Sequence, residues 1–595
     1  MQVLHLHSGF YYAIFLVVIP TKYWSVQMYY ETRVEIPESK GKITYKTIKG
    51  TTYVNYEYDR TYIPEKQYTK VKRTTIGKRC SDDENFMFPN INFVKYFPDV
   101  EYSDSRSAKV RSCCLKAGSY IAISKVVSHY HLDEMLGRII GKDSGLFLDL
   151  AAYSIVCENN AAQYYPDYAF NHPLFTEEMR IYSDAKVSDF LTNMVKDKSI
   201  SFLNEWNTSR DHRERIYISY DSTNKSCQSG EIDLAEPGHS KDGLDLPVVN
   251  YSVAFDKTNR EPLFYEQYPG SIVDVSQLQM MLEKARGFGY KRVGFILDRG
   301  YFSKENIRFM DKNGYEFVIM VKGMRALVNN LVEEHRGSFE TARACHISRY
   351  GVNGKTVRGR LYPSDEKDRY FHIYYNMEKA ASERSEFEGR IDRISALLKS
   401  LQGKAKHLDP AFERHFELIY HNPGQEDQLF VLAREKEDVV ERAIRLCGYF
   451  CIITSEKMTA DEALNLYKGR DSSEKLFRGD KSYLGNRSLR VHSEAAAENK
   501  IFIEFVALII RNRIYNCLKD ASEDRKANYM TVPAAIRELD KLEMVRLVDN
   551  VYRPDHALTS TQKTIFKALG IDSIFVKEQM KKITQQLKGG DDGKR

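Results

Sequence analysis

The sequence predicts an α/β protein built on a mixed sheet with helices on its faces. Three observations carry the prediction. Two short apolar runs of strand length each end in an aspartate, Asp221 and Asp298. Three strand patterns in succession open the region, and helix and strand patterns alternate after them. The chain has 595 residues, 42% of them hydrophobic, which suffices for several domains and a large core.

In the first run Ile216, Ile218 and Tyr220 alternate with Tyr217, Ser219 and Asp221, the period of a β-strand. Asp221 reads as its last residue, and Ser222-Thr223-Asn224 as the turn that follows. Strands are expected at 248–255 and 262–267, then a helix over 275–286. The second run, Val293-Gly-Phe-Ile-Leu297, has the length and flanks of a strand buried on both faces, and Asp298 stands at its end. A helix over 304–312 and a strand at 316–322 follow. Residues 325–445 read as an α+β insertion, with strands at 370–375 and 429–432. Its charged helix carries Phe387, Ile391, Ile394, Leu398 and Leu401 on one face. The pattern resumes with a strand at 449–454, a polar helix around Glu474 and a long apolar helix over 495–515.

The flanks are read more coarsely. Residues 1–28 are expected to be a dispensable or misassigned extension, with Met28 as the expected start. The apolar run 9–19 is about half the length that crosses a bilayer, and no Lys or Arg precedes it. Residues 29–80 read as a small β-rich basic element. There Arg60, Lys66, Lys70, Lys72, Arg73, Lys78 and Arg79 face one acid, Glu65, with Tyr62 and Tyr68 interleaved. That run is either a grip on backbone phosphates or a solvated loop. Residues 81–205 turn helical, 206–324 and 446–525 hold the two parts of the sheet, and 526–595 form a helical region with a disordered Lys-rich tail. His129, His131, Asp133 and Glu134 read as helix-surface polarity rather than a metal site. The net charge of +6 fits a polyanionic partner without requiring one. Nine scattered cysteines with no C-x-x-C pair support neither a zinc ribbon nor a disulfide framework. The chain reads as cytoplasmic, with no membrane partner.

The candidate chemistry centres on Tyr467-Lys-Gly-Arg470-Asp-Ser-Ser-Glu474 and continues to Lys481. The steps between Tyr467, Arg470, Glu474 and Lys481 are near-whole helical turns, so the four side chains would share one stripe. A docked helix fills such a stripe with aliphatic residues; this one holds a carboxylate, two cations and a phenol. Taken alone it also reads as a solvated face of salt-bridge partners, and Gly479 allows Lys481 to sit on a loop. Either aspartate alone reads as a turn-former or helix cap. Asp221, Asp298 and Glu474 together would repel at one sheet edge unless neutralised, and such oxygen ligands suit Mg²⁺ or Mn²⁺. Two such ions about 4 Å apart serve in-line displacement at a phosphodiester.

These residues resemble the DDE insertion-sequence transposases of the IS-four superfamily. That group is marked by Tyr-x2-Arg-x3-Glu-x6-Lys, which Tyr467, Arg470, Glu474 and Lys481 match without slippage. Gly238-His-Ser-Lys241-Asp242-Gly-Leu-Asp245-Leu-Pro247 resembles the block that follows the first catalytic aspartate, and Asp298-Arg-Gly-Tyr301 the second block. The separations are 298 − 221 = 77 and 474 − 298 = 176 residues, and the longer one matches members with an insertion before the catalytic glutamate. The resemblance covers residues 210–520 well and the flanks loosely.

What the resemblance implies is specific. The fold would be RNase H-like, with 81–205 recognising DNA ends. Asp221, Asp298 and Glu474 would be catalytic, holding two Mg²⁺ ions, or Mn²⁺. Tyr467, Arg470, Lys481 and Lys241 would contact DNA. The partners would be terminal inverted repeats and target DNA, with a homodimer in the DNA complex. Two rivals stand beside it. Another RNase H-like nuclease, such as a junction resolvase, is disfavoured by the long insertion and the Tyr/Arg/Lys escort. A catalytically inactive, transposase-derived DNA-binding protein is disfavoured by the presence of all three carboxylates.

Overall fold

The computed structural model describes residues 29–30, 32–39, 42–64, 67–98, 111–210, 216–238, 246–272, 274–290, 292–321, 325–404, 407–425, 427–469, 484–485, 487–525, 530–547 and 551–592, with Asp221 described by its backbone. The chain divides into two compact units, Met1–Leu115 with Glu543–Asp555 and Asp591–Arg595, and Lys116–Leu542 with His556–Gly590.

The first unit is built on an antiparallel sheet of order β1-β5-β4-β3-β2. Its strands are β1 (Val34–Glu35), β2 (Ile43–Ile48), β3 (Thr51–Ile63), β4 (Tyr68–Arg79) and β5 (Phe86–Pro89). Val54, Ile76 and Met87 cover one face together with Phe93 of the helix Ile91–Tyr96. Asn90 caps that helix by accepting from the N–H groups of Asn92 and Phe93. Register across the β3–β4 hairpin sets Glu57 opposite Arg73 and Asp59 opposite Lys72. Buried Glu57 pairs with both Arg60 and Arg73, Lys72 Nζ lies 2.9 Å from Asp59, and Arg79 lies 3.0 Å from Glu84. Four cations of the basic run are therefore paired with acids outside it: Arg73 and Lys72 through cross-strand register, Arg60 along its own strand, and Arg79 with the turn that follows β4. The unit also holds β18 (Glu543–Arg546) and β19 (Tyr552–Pro554), in a small sheet of order β19-β18-β6 with β6 (Cys114–Lys116).

The second unit carries a nine-stranded mixed sheet flanked by helices, of order β12-β13-β14-β17-β11-β10-β7-β8-β9. It comprises β7 (Ile216–Ser226), β8 (Val248–Asp256), β9 (Glu261–Pro269), β10 (Val293–Leu297), β11 (Glu316–Met320), β12 (His346–Ile347), β13 (Val352–Gly359), β14 (Arg369–Tyr375) and β17 (Tyr449–Thr454). β7, β8 and β9 form an antiparallel meander. On the other side of β7, β10 runs parallel to it and β11 parallel to β10, after which β17 returns antiparallel. Every residue of β8 and β10 is buried; β10 accordingly reads as a continuous apolar run, whereas β8 buries the polar side chains of Asn250, Ser252 and Asp256. Gly294 of β10 leaves room for the ring of Tyr217 on β7, which a Cβ there would meet at 2.5 Å.

Residues 325–445 serve two structures. β14 pairs with β17 along its whole length, so β12 to β14 extend the main sheet, with Phe371 and Ile373 fully buried. β15 (Phe416–His421) and β16 (Leu429–Glu435) form a separate pair. That pair packs through Phe416 and Phe430 on the Phe387, Ile391, Leu398 face of the helix Met377–Leu401. In the helical region, Phe147 and Phe202 meet Phe502 of the long helix Glu494–Arg525. Asn499 of that helix donates to the carbonyls of Leu191 and Met194 at 2.8 and 2.7 Å.

Two expectations are corrected. Ser222-Thr223-Asn224 is not a turn: β7 runs on to Ser226, paired residue by residue with β8. These polar residues stay extended because their surroundings are buried and paired; Lys225 Nζ lies 3.1 Å from Glu504 and 4.7 Å from the centre of the Tyr251 ring. Up to residue 592 the Lys-rich tail is not disordered but forms the helix Ser573–Asp592, with Val576, Met580 and Ile583 buried at helical spacing, and residues 593–595 lie outside the described residues. All nine cysteines are free. Among the described residues no helix is long and apolar enough to cross a membrane, and residues 1–28 lie outside them.

Candidate active site

Tyr220 pairs with Leu297 in the β7–β10 ladder, so Asp221, within β7, and Asp298, the first residue past β10, stand at the same level of adjacent parallel strands. Adjacent strands run about 4.8 Å apart, which sets the backbone separation of the two aspartates. Asp298 is half-buried and extended (φ −69°, ψ 157°), and its Oδ1 accepts from the Arg299 N–H at 2.7 Å. The turn behind it is fixed by hydrogen bonds. The Tyr301 N–H donates to the Asp298 carbonyl at 3.0 Å, and Asn306 Nδ2 donates to the Tyr301 carbonyl at 3.0 Å. Ser303 caps the helix Lys304–Lys312 by accepting from the Asn306 N–H at 3.1 Å. The buried rings of Tyr220 and Tyr301 lie 5.4 Å apart, and the Tyr220 hydroxyl is 2.7 Å from Ser252 Oγ. Each aspartate thus adjoins a buried tyrosine, and the two tyrosines touch. Sequence reasoning missed Ser303 and Asn306, although a serine opening a helical pattern is a cap signal.

Tyr467 lies on the helix Ala460–Lys468, which a Thr459/Glu462 capping box starts. Its ring is buried in a cluster with Ile296, Val318, Tyr374, Ile452 and Leu464, against which Tyr217 also packs. This helix is capped at Gly469, and the rest of the stripe expected through residue 481 lies outside the described residues. Its end is sealed by Lys257, whose Nζ donates to the carbonyls of Asn465 at 2.8 Å and Leu466 at 3.4 Å. A cation there satisfies exposed acceptors and opposes the negative end of the helix dipole. Arg470, Glu474, Lys481 and Lys241 lie outside the described residues.

Beyond the signature, Ser488 bridges Ser226 in parallel. The Ser226 N–H donates to the Arg487 carbonyl at 2.9 Å, and the Leu489 N–H to the Ser226 carbonyl at 3.1 Å. A buried polar group holds this segment. Asn160 Nδ2 donates to both the Ser488 carbonyl and Glu504 at 3.2 Å, and Lys500 Nζ donates to the Leu489 carbonyl at 2.5 Å. Burial pushes the Lys500 ammonium down to about 8. Lys225 and Glu504 complete the group, both buried. The available signal was a lone carboxylate in the apolar run Ile501-Phe-Ile-Glu504-Phe-Val.

Among the described residues no cluster of three or more His, Cys, Asp or Glu is placed to hold a metal ion. His131 instead pairs with Glu134 at 3.4 Å. Past the end of β10 the Asp298 carboxylate offers oxygen donors, which fit a hard divalent cation.

Residues 216–510 match the family described as the transposase DDE domain. No curated relative matches the chain. Among solved structures, a cryo-EM piggyBac transposase synaptic complex with hairpin DNA aligns with 78% of this chain and 82% of its own. It does so at 7% identity and a TM-score of 0.30, a likeness too distant to inform fold or function.

Proposed function

We propose, from the match of residues 216–510 to the transposase DDE domain family, that this chain binds the ends of an insertion sequence and cleaves and joins DNA strands there. The observation that carries the proposal is the register that brings Asp221 and Asp298 to one level on adjacent parallel strands. The β7–β11 arrangement, a meander followed by parallel strands, supports an RNase H-like reading, with β15, β16 and the helix Met377–Leu401 as the insertion. The described flanks of Glu474 support its place beside the aspartates. On one side the chain leaves a helix sealed by Lys257, whose own N–H bonds the Tyr217 carbonyl at 2.8 Å; on the other it returns at Ser226. Asp221 lies between those two levels of β7.

Asp221, Asp298 and Glu474 are the residues that would hold two Mg²⁺ or Mn²⁺ ions, which when bound neutralise phosphodiester charge and activate the attacking oxygen. The aspartates are presented from a buried, hydrogen-bonded frame, so little must reorganise when DNA arrives. Arg470 suits bidentate phosphate contacts, and Lys481 and Lys241 act as point charges. For Tyr467 the buried ring limits any phosphate contact to the hydroxyl. The chain would act on inverted-repeat ends and target DNA as a homodimer.

Purified protein is expected to nick duplexes carrying the element's terminal inverted repeats in Mg²⁺, and chelation with EDTA to stop it. End binding without metal-dependent cleavage would favour the inactive DNA-binding reading. Arg470→Ala and Lys481→Ala are each expected to weaken the end complex and flatten its salt slope by about 0.9. An unchanged slope would assign those cations to ion pairs within the protein.

A further inference from the structure

The turn between β8 and β9 is held more firmly than a surface turn needs to be. Asp256 accepts from the N–H groups of Thr258 and Asn259 at 2.7 and 3.3 Å, and from Asn259 Nδ2 at 2.6 Å. The Arg260 carbonyl accepts from Asn512 and Asn516 of the long helix at 2.6 and 2.9 Å, and the Arg260 guanidinium grips Asp520 with two bonds of 2.7 Å. This braced turn presents Lys257, whose Nζ reaches the last carbonyls of the Tyr467 helix. From another direction, the turn between β12 and β13 sends Arg349 Nη1 and the Tyr350 hydroxyl to Asn465 Oδ1 at 3.1 and 3.0 Å.

Gly469 records the same contact. Its φ of −61° suits any residue, yet a Cβ there would fall 2.1 Å from Lys257 Cε. The contact is with the far end of the lysine side chain, so a methyl at this position would displace Lys257 from the carbonyls it binds. Burial, reinforced by Arg349 nearby, lowers the Lys257 ammonium to about 8, as expected for a cation turned from water onto carbonyls.

We propose that Lys257, Arg349 and Tyr350 are positioning residues that clasp Asn465 from two sides and set the direction in which the chain leaves the Tyr467 helix toward Glu474. The proposal rests on Glu474 being a catalytic carboxylate. The clasp acts on the geometry of the glutamate, so it governs the rate of cleavage and not the grip on DNA.

The test measures end cleavage and end binding separately on the full chain. Lys257→Ala and Gly469→Ala are each expected to lower the cleavage rate about tenfold or more, with end affinity little changed, since small misplacements of a reacting group are costly. The double variant is expected to be no slower than either single one, because the new methyl occupies the space the lysine left. Lys257→Arg, which keeps a donor, should recover part of the rate. Asn465→Ala, which removes only the Arg349 and Tyr350 bonds, should show a smaller loss of the same kind. Wild-type rates in Lys257→Ala, strictly additive losses in the double variant, or a fall in affinity that accounts for the fall in rate would each overturn the proposal. If the unmodified protein shows no metal-dependent cleavage, the transposase reading itself fails. The clasp is then read from hydrogen exchange at the Gly469 amide, which should quicken in Lys257→Ala; an unchanged rate overturns it.

Discussion

Asp298→Asn is expected to lower end cleavage in Mg²⁺ by a thousandfold or more in order of magnitude, while leaving end binding intact. The substitution keeps the shape of the side chain and an oxygen able to accept from the Arg299 N–H, so the local frame has no reason to move. The turn is held by backbone atoms, by Asn306 and by the buried Tyr301 ring, none of which depends on the carboxylate charge. What is lost is the negative charge that a divalent cation requires. Asp221→Asn and Glu474→Gln are expected to behave alike. Single-turnover cleavage of a labelled end, beside a binding assay, checks all three. A variant that cuts at the normal rate does not belong to the site.

The largest expected effect on stability lies at Glu504. Glu504→Leu leaves Lys225 fully buried beside an apolar side chain, with its ion-pair partner gone. Removing one partner of a buried pair costs about 3–5 kcal/mol, because the remaining charge is uncompensated. Lys225→Met combined with Glu504→Leu is expected to recover most of that loss, since an apolar pair of similar volume needs no counter-charge. Denaturant unfolding of the two single variants and the double variant closes the cycle. A loss below about 1 kcal/mol in Glu504→Leu would show that the pair does not hold this part of the core.

β10 was legible because a strand buried on both faces concentrates apolar residues and stops at a polar one, and that pattern located both its ends; the start of β7 was legible from the alternation of Ile216, Ile218 and Tyr220. The rest of β7 was not legible, because Ser222 to Ser226 look like a turn unless one knows that Lys225 meets Glu504 and Ser226 meets residues 487–489. Tertiary partners overrode local preference there. The ion pairing of the basic run in the β3–β4 hairpin was hidden for a related reason: Glu57 and Asp59 lie before the run in sequence and meet Arg73 and Lys72 only across the hairpin. The helical stripe placed Tyr467, Arg470 and Glu474 on one face by spacing alone. A lysine more than two hundred residues earlier binds the carbonyls at the end of the Tyr467 helix, and no periodicity reports such a contact. Alternation at Arg369–Tyr375 announced a strand but not which sheet would receive it.

The ladder between β7 and β10 also dictates where this chain can change length. Asp221 and Asp298 are neighbours because of how two strands are phased, not because of how many residues separate them. Extra residues in the connection between the helix Asp274–Gly287 and β10 would be absorbed there, since each doubling of a flexible loop costs only about 0.6 kcal/mol. One residue added within Val293–Leu297 would turn Asp298 to the opposite face of the sheet. Insertions and deletions should therefore be tolerated freely between the strands, while the count from the start of each strand to its aspartate admits no change at all.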